Sequence, residues 1–309
     1  MQLPEISTLQ DYRTLDLKSA IFVEAARDIL HSLKFPVNSI SHTTDGSSPV
    51  VLIDDNYVVK FFAPIFSDAF EMEKSALEFL SDIQSASPHL LGAGAAGSWS
   101  YVVMSRLRGK SLKELWPNLT DDERASACFA VGQKLRTIHD HSIPQGSFRG
   151  LMPWPEFIRA QALACADRHQ ELGLGNDLII QIPKFLAGTR LDVDQPRCFL
   201  HTEVMRDHVF ISNFGKELSV TGFVDFEPSM IGAPEYDFAS VGIFLSSGSP
   251  QALRSFFLGY GNLQSVDREF KRRIMAYALL HKYSNLKWYL EFMPRADSLE
   301  ELAEKWWAV

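Results

Sequence analysis

Two ionisable stretches set between apolar runs constrain this chain more than any other feature. Phe199-Leu200 leads into His201-Thr202-Glu203-Val204-Met205-Arg206-Asp207-His208, and Val209-Phe210-Ile211 follows. After a turn at Asn213-Phe214-Gly215, the run Gly222-Phe223-Val224 ends in Asp225, with Phe226-Glu227-Pro228 behind it. An acid at the end of a strand that reads as buried is poor core material, because a carboxylate taken out of water unpaired is costly. It needs a cation, and a metal ion is the simplest one.

The rest of the chain frames these stretches. Leu17 to Leu33 has helical spacing, and Pro36 breaks it. Ser39 to Phe62 predicts a small antiparallel sheet with turns at Asp45-Gly46-Ser47-Ser48 and Asp54-Asp55-Asn56, ending in Tyr57-Val58-Val59-Lys60-Phe61-Phe62. A helix is expected over Phe70 to Ile83, and strands over Leu90 to Ala96 and Trp99 to Met104. From Leu112 the pattern turns helical. Asp121 to His139 has Thr120 as its N-cap and acids in its first turn. Helices are also expected over Pro153 to Leu172, Leu178 to Leu186, Tyr236 to Ser246, Gln251 to Tyr260, Asp267 to Phe292 and Leu299 to Trp307. A β pair at Arg197 to His201 and Val209 to Phe226 interrupts them. At 309 residues the chain suits two lobes. The expected class is α+β, with a small mixed α/β lobe over 1–104 and a larger, mainly helical lobe over 105–309 that carries both ionisable stretches.

Charge and cysteine usage exclude some functions. A net charge of −8 argues against nucleic-acid binding, which selects an excess of Lys and Arg, and favours the approach of a cationic small molecule. Cys128, Cys165 and Cys198 are few and widely spaced, as expected of reduced, buried thiols. Residues 1–19 lack the basic and apolar regions of a signal peptide, and no window approaches the ~18 apolar residues of a spanning helix. A cytoplasmic protein with no membrane association, monomeric or weakly dimeric, is the expectation.

Among candidate site residues, Lys60 closes a β-branched run. Taken alone it reads as an edge-strand lysine facing water. Glu73 on the following helix changes that reading, because it is spaced to reach back, with Glu71 and Glu78 as competitors. A paired Lys and Glu is how kinase small lobes fix a phosphate-binding ammonium. His201, Glu203 and His208 also spell His-x-Glu-x4-His, open to reading as a metallohydrolase site, although flanking strands scatter such side chains. His139 reads as a cap or a packing residue. Trp306-Trp307 and the group Tyr283, Trp288, Tyr289 and Phe292 read as core.

These residues resemble the aminoglycoside phosphotransferase family, whose catalytic loop runs His-Gly-Asp-x-x-x-x-Asn and whose metal loop is a strand ending in Asp-Phe or Asp-Trp. The resemblance extends through Lys60, Glu73, Val102 to Arg106, Leu135 to His139, and Gly232-Ala233-Pro234-Glu235-Tyr236-Asp237-Phe238-Ala239. The pattern and the tail Ser298-Leu-Glu-Glu-Leu-Ala303 look closest to hygromycin-B kinases acting on the 7″-hydroxyl. The resemblance implies a protein-kinase-like fold and transfer of the ATP γ-phosphate to a hydroxyl of an aminoglycoside-like or amino-sugar acceptor, a route to antibiotic resistance. It implies that Lys60, steadied by Glu73, contacts phosphates and that the backbone of Met104, Ser105 and Arg106 holds adenine. Thr43 to Pro49, with Ser48, would cover the phosphates. Asp225 would bind Mg²⁺, and His201 and Asp237 would support the catalytic loop. Trp288 and Glu291 are candidate acceptor contacts.

The chain departs from the family at the centre of that loop. Glu203 stands where the family has its catalytic Asp, His208 where it has a metal-binding Asn, and Thr202 where it has Gly. Glu203 keeps a carboxylate one methylene further out. His208 offers imidazole, which Mn²⁺ accepts more readily than Mg²⁺. Asp207, turned inward, or Glu227 would supply an oxygen ligand instead. These departures keep two alternatives open, a nucleotide-binding pseudokinase and a nucleotidyl transferase on the same fold.

Overall fold

The computed structural model describes residues 3–43, 46–148, 150–191, 197–214 and 217–309. Asp45 of the first expected turn and Gly215 of the later one therefore lie outside the described residues. The chain packs as two compact units, 1–109 with 221–228, and 110–220 with 229–309. The division expected after residue 104 differs by five residues and in the placement of 221–228. That segment belongs to the first unit because the Phe223 N–H donates to the Ala86 carbonyl at 2.9 Å and Thr221 Oγ1 to the Arg108 carbonyl at 2.7 Å.

In the first unit, α1 (Leu9–Arg13) and α2 (Ala20–Ser32) precede β1 (Ile40–His42), β2 (Val50–Ile53) and β3 (Tyr57–Phe62). Then come α3 (Ser67–Phe79), β4 (Leu90–Ala96) and β5 (Trp99–Ser105). The five strands form one antiparallel sheet in the order β1-β2-β3-β5-β4. Alternation along β3 does the sorting. Val59 and Phe61 join a core with Phe22, Ala26 and Leu30 of α2, and Lys60 between them meets Glu73 of α3 instead. The short α1 was not expected. A capping box between Thr8 and Asp11 starts it, Leu3 and Ile6 ahead of it are buried, and Trp99 Nε1 donates to the Pro4 carbonyl at 2.7 Å.

The second unit opens with β6 (Lys110–Ser111), α4 (Leu112–Leu115), α5 (Asp121–His139), α6 (Trp154–Glu171), α7 (Asn176–Ile179) and α8 (Ile182–Ala187). β7 (Cys198–Leu200), β8 (Val209–Phe214), β9 (Glu217–Phe223) and β10 (Met230–Gly232) follow, with β9 running on into the first unit. The last elements are α9 (Glu235–Ser240), continued by a π-turn at Val241–Leu245, then α10 (Pro250–Tyr260), α11 (Arg268–Leu280), α12 (Leu286–Tyr289) and α13 (Leu299–Trp306). β7 pairs with β10, and β8 lies between β6 and β9. The reciprocal Thr120–Glu123 capping box starts α5 where the sequence places it. Helices α5 and α10 approach backbone to backbone. A Cβ on Gly132 would lie 2.2 Å from the Phe256 carbonyl oxygen, and one on Gly259 would lie 2.1 Å from that of Phe129, so neither position tolerates a side chain.

Two expectations are corrected here. The single helix over Asp267 to Phe292 is broken at 281–285, because His281 turns extended and Ser284 Oγ donates back to the Ala278 carbonyl at 2.6 Å. Of the aromatic group assigned to the core, only Tyr289 is buried. Tyr283, Trp288 and Phe292 are 53%, 47% and 43% exposed, whereas Trp306 and Trp307 are fully buried, as expected. The three cysteines are free and buried. No helix among the described residues is long and apolar enough to cross a membrane.

Candidate functional site

In the first unit the site centres on Lys60. Its strand is interior to the sheet and its side chain is buried, so the reading of an edge lysine facing water fails. The ammonium lies 3.1 Å from Glu73, 2.6 Å from Asp225 and 3.1 Å from Glu227. Glu71 and Glu78, the competitors of Glu73, are exposed. Burial works against a charged Lys60, but Asp225, Glu73 and Glu227 outweigh it and hold the ammonium well above its ordinary range. Burial pushes the Glu73 carboxyl up, opposed by Lys60. Asp225 adopts a left-handed backbone, φ +70°, which strains a non-glycine residue.

One ammonium cannot neutralise three carboxylates. Oxygens of Glu73, Asp225 and Glu227 lie within 4.8 Å of one another, a hard, anionic donor set of the kind Mg²⁺ prefers. These residues fit a divalent cation, and a polyphosphate would be repelled from them without one.

The backbone of Met104, Ser105 and Arg106, expected to hold adenine, already makes bonds within the chain. Met104 is buried and paired with both Val58 and Leu90. The Ser105 N–H donates to the His89 carbonyl at 2.9 Å and the Arg106 N–H to the Asn56 carbonyl at 2.8 Å. The guanidinium of Arg106 lies 3.3 Å from Asp55. The N–H groups of Ser105 and Arg106 are thus engaged by the chain itself. Ser48, half-buried, sits in a loop that α1 holds, since the Tyr12 hydroxyl donates to the Ser47 carbonyl at 2.6 Å and interacts with the Ser48 side chain. Burial raises the Tyr12 phenol, and Glu227 adds to the effect. Tyr12 escaped the sequence reading. Its one local signal was the Thr8-x-x-Asp11 capping box.

In the second unit, the loop from His201 to His208 joins β7 to β8 and is fixed through its backbone. Asp237 of α9, fully buried, accepts the N–H groups of His201 at 3.1 Å and Thr202 at 2.6 Å. His139 Nε2 lies 2.9 Å from the same carboxylate, and His139 Nδ1 lies 2.8 Å from the Tyr260 hydroxyl. The Val204 N–H reaches Ser240 Oγ at 3.0 Å. His281 braces the loop from the α11–α12 break. Its Nε2 donates to the Thr202 carbonyl at 3.0 Å, and its Nδ1 accepts the Tyr283 N–H at 3.2 Å. Burial lowers His281 to about 4, so the ring is neutral, as both bonds require. His281 too was missed, because its segment read as continuous helix. Thr202 sits at φ +72°, a conformation that glycine adopts freely, which accounts for Gly in the family pattern.

The working side chains follow from this frame. The Glu203 N–H donates to His201 Nδ1 at 3.3 Å, and His208 Nδ1 donates to the Glu203 carbonyl at 3.0 Å. That bond places a proton on Nδ1. Asp207, suggested as an inward-turning ligand, lies 2.6 Å from Lys113 on the exposed side of the loop. A cavity of about 460 Å³ opens beside the loop, walled by Glu203, Asp207, Phe244, Tyr283 and Trp288 among others. Glu291 is exposed and not part of that wall.

The fold resembles those of known proteins. The solved GDP complex of an aminoglycoside 2′-phosphotransferase-IIIa variant superposes with a TM-score of 0.66 at 16% identity, covering 92% of this chain and 96% of that one. The ternary complex of aminoglycoside phosphotransferase (2″)-IIa with streptomycin and ATP gives 0.60 at 14% identity, covering 88% and 92%. Among curated proteins, lysine-specific demethylase JMJ21 of Arabidopsis thaliana is 21% identical over 72% of this chain, and the match spans only 30% of the demethylase. A family model described as the phosphotransferase enzyme family matches residues 40–273. With most of its length matched, and with a protein-kinase-like α+β fold, the chain belongs to the phosphotransferase enzyme family.

Proposed function

We propose that this chain transfers the γ-phosphate of ATP to a hydroxyl of a small, amine-bearing acceptor, in the manner of an aminoglycoside or amino-sugar kinase. The observation that carries this reading is Lys60, buried as an ammonium among Glu73, Asp225 and Glu227. Lys60 contacts the nucleotide phosphates, and the buried Glu73 fixes its position. Asp225 and Glu227 would hold Mg²⁺, which would supply neutralisation of the phosphate charge. Glu203 takes the proton of the acceptor hydroxyl as its oxygen bonds to the γ-phosphorus. The bond from that phosphorus to the β–γ bridging oxygen breaks, and ADP leaves with the electron pair. Asp237, His139 and His281 hold the loop backbone that carries Glu203. Little covalent chemistry is asked of the protein, so placement matters more than base strength.

The test is an ADP-release assay with Mg²⁺ across a panel of aminoglycosides, hygromycin B included, and amino sugars, followed by mapping of the phosphate on any product. Turnover lost in Asp225→Ala supports the mechanism, and turnover retained in that variant contradicts it. Glu203 and His208 favour one second reading, nucleotide binding without transfer. Thermal stabilisation by ATP and metal with no phosphorylated product distinguishes it.

A further inference from the structure

The second unit has another cavity, of about 270 Å³, walled by Trp116, Asp121, Arg124, Arg206, Ser247 and Ser249 among others. Along the His201–His208 loop the side chains sort between the two cavities. Met205 and Asp207 line the one beside Glu203, and Arg206 between them lines this one. Both arginines lie over the indole of Trp116, the guanidinium carbon of Arg206 at 3.7 Å from the ring centroid and that of Arg124 at 5.4 Å. Two like charges are thus gathered on one ring.

The chain provides for these two cations unequally. Arg124 donates from Nε and Nη2 to the Trp116 carbonyl at 3.2 and 3.0 Å, and its Nη1 reaches Asp121 at 3.1 Å. Arg206 donates from Nε to the Leu245 carbonyl at 2.8 Å. Among the described residues no carboxylate pairs with it, and neither Nη atom, each with two N–H donors, has a hydrogen-bond partner. Asp207, its neighbour in sequence, pairs with Lys113 at 2.6 Å. Burial lowers the Arg206 guanidinium to about 10. Cys128 opposes this only as a thiolate, and burial lifts that thiol to about 12. Arg124 lowers Arg206 further, and Asp207 opposes least. A partly buried cation with no counter-ion, beside a second cation, is costly, and an anion in the cavity removes that cost.

The rest of the wall offers neutral donors. The Ser247 hydroxyl has no hydrogen-bond partner among the described residues. Ser249, the N-cap of α10, accepts the Ala252 N–H at 3.4 Å and keeps its own proton to donate. The 11-residue α10 begins here and turns the positive end of its dipole to the same place.

We propose that this cavity binds a phosphate group, either inorganic phosphate or the monoester end of a small metabolite, in the fork of Arg206, beside the Arg124 charge and the hydroxyls of Ser247 and Ser249. A planar guanidinium matches two phosphate oxygens and the hydroxyls serve a third, so a tetrahedral dianion uses donors that a planar carboxylate leaves idle. The site shares no residue with the Lys60 cluster and holds whether or not the chain transfers phosphate.

Calorimetric titration of inorganic phosphate tests it, with chelator present to keep metal-bound phosphate from the Lys60 cluster and chloride holding the ionic strength constant. One equivalent is expected to bind with a Kd of about 1 mM or tighter, and Arg206→Gln to weaken that binding by roughly tenfold. Ser247→Asp places a carboxylate in the cavity, at a left-handed position (φ +49°) that Asp tolerates. It should abolish binding without lowering the melting temperature, and it decides the matter if Arg206→Gln fails to fold. Glycerol 3-phosphate separates the two sources. Binding at least as tight as phosphate assigns the site to a monoester, much weaker binding assigns it to free phosphate, and both support a phosphate site. Succinate bound as tightly as phosphate, no saturable binding of phosphate, or an affinity for phosphate unchanged in a folded Arg206→Gln or Ser247→Asp each overturns it.

Discussion

The Lys60 cluster of the first unit and the His201–His208 loop of the second solve the same problem, holding ionisable groups away from bulk water, in opposite ways. Around Lys60 the side chains hold one another, one ammonium among three carboxylates within 3.1 Å. In the loop it is the backbone that is held, by Asp237, Ser240 and His281, and the side chains that depart from the family pattern project from that frame. A site of the first kind tolerates little substitution, since each charge compensates the others. A site of the second kind allows a side chain to change while the loop keeps its path. That difference explains how Glu203 and His208 replace Asp and Asn in a chain whose fold follows the family.

The largest effect is expected at Lys60. Lys60→Met strands the buried Glu73 among acids and should lower kcat/KM by roughly 10³-fold in the ADP-release assay. A change of less than tenfold would mean that the cluster is structural and would erase the contrast. Next comes acid. His169 and His281 both have folded values lowered to about 4 by burial, against an ordinary 6.5. The unfolded chain therefore binds protons first as pH falls below 6.5. Stability present above that pH should drain away toward pH 4, by about 2 kcal/mol per histidine at pH 5. Denaturant titrations at pH 7 and 5 check this, and His281→Gln should flatten the dependence. A smaller loss is expected from Glu203→Gln, which should reduce kcat by roughly 10²-fold and leave the ATP affinity unchanged. A fall in ATP affinity instead would mean that the loop side chain serves the nucleotide. Smallest of all, Thr202→Gly should relieve the left-handed strain and stabilise the protein by about 1 kcal/mol, visible as a rise in melting temperature.

The same contrast governs what could be read from the sequence. Alternation along Tyr57-Val58-Val59-Lys60-Phe61-Phe62 and helical spacing around Glu73 brought those two residues together, because both patterns are local. The capping box at Thr120 marked the start of α5 for the same reason. The break at His281 left no mark in the helical period, since the bonds that make it run to Thr202 and Ala278. Nor did the exposure of Trp288, an aromatic residue on a helix that periodicity assigns to a core. That the N–H groups of Ser105 and Arg106 bond to the carbonyls of His89 and Asn56 could not be read locally either, because those partners are set by folding. Tyr12 lay in a polar lead-in, and only the folded chain brings it to Ser47.

Titration of ATP into the protein with Mg²⁺ and with chelator tests most directly whether the carboxylate-rich cluster around Lys60 is a metal–nucleotide site. Binding at least tenfold tighter with Mg²⁺, with that advantage abolished in Asp225→Ala, is the expected result. Equal affinity in chelator, or an undiminished response to Mg²⁺ in Asp225→Ala, would contradict it.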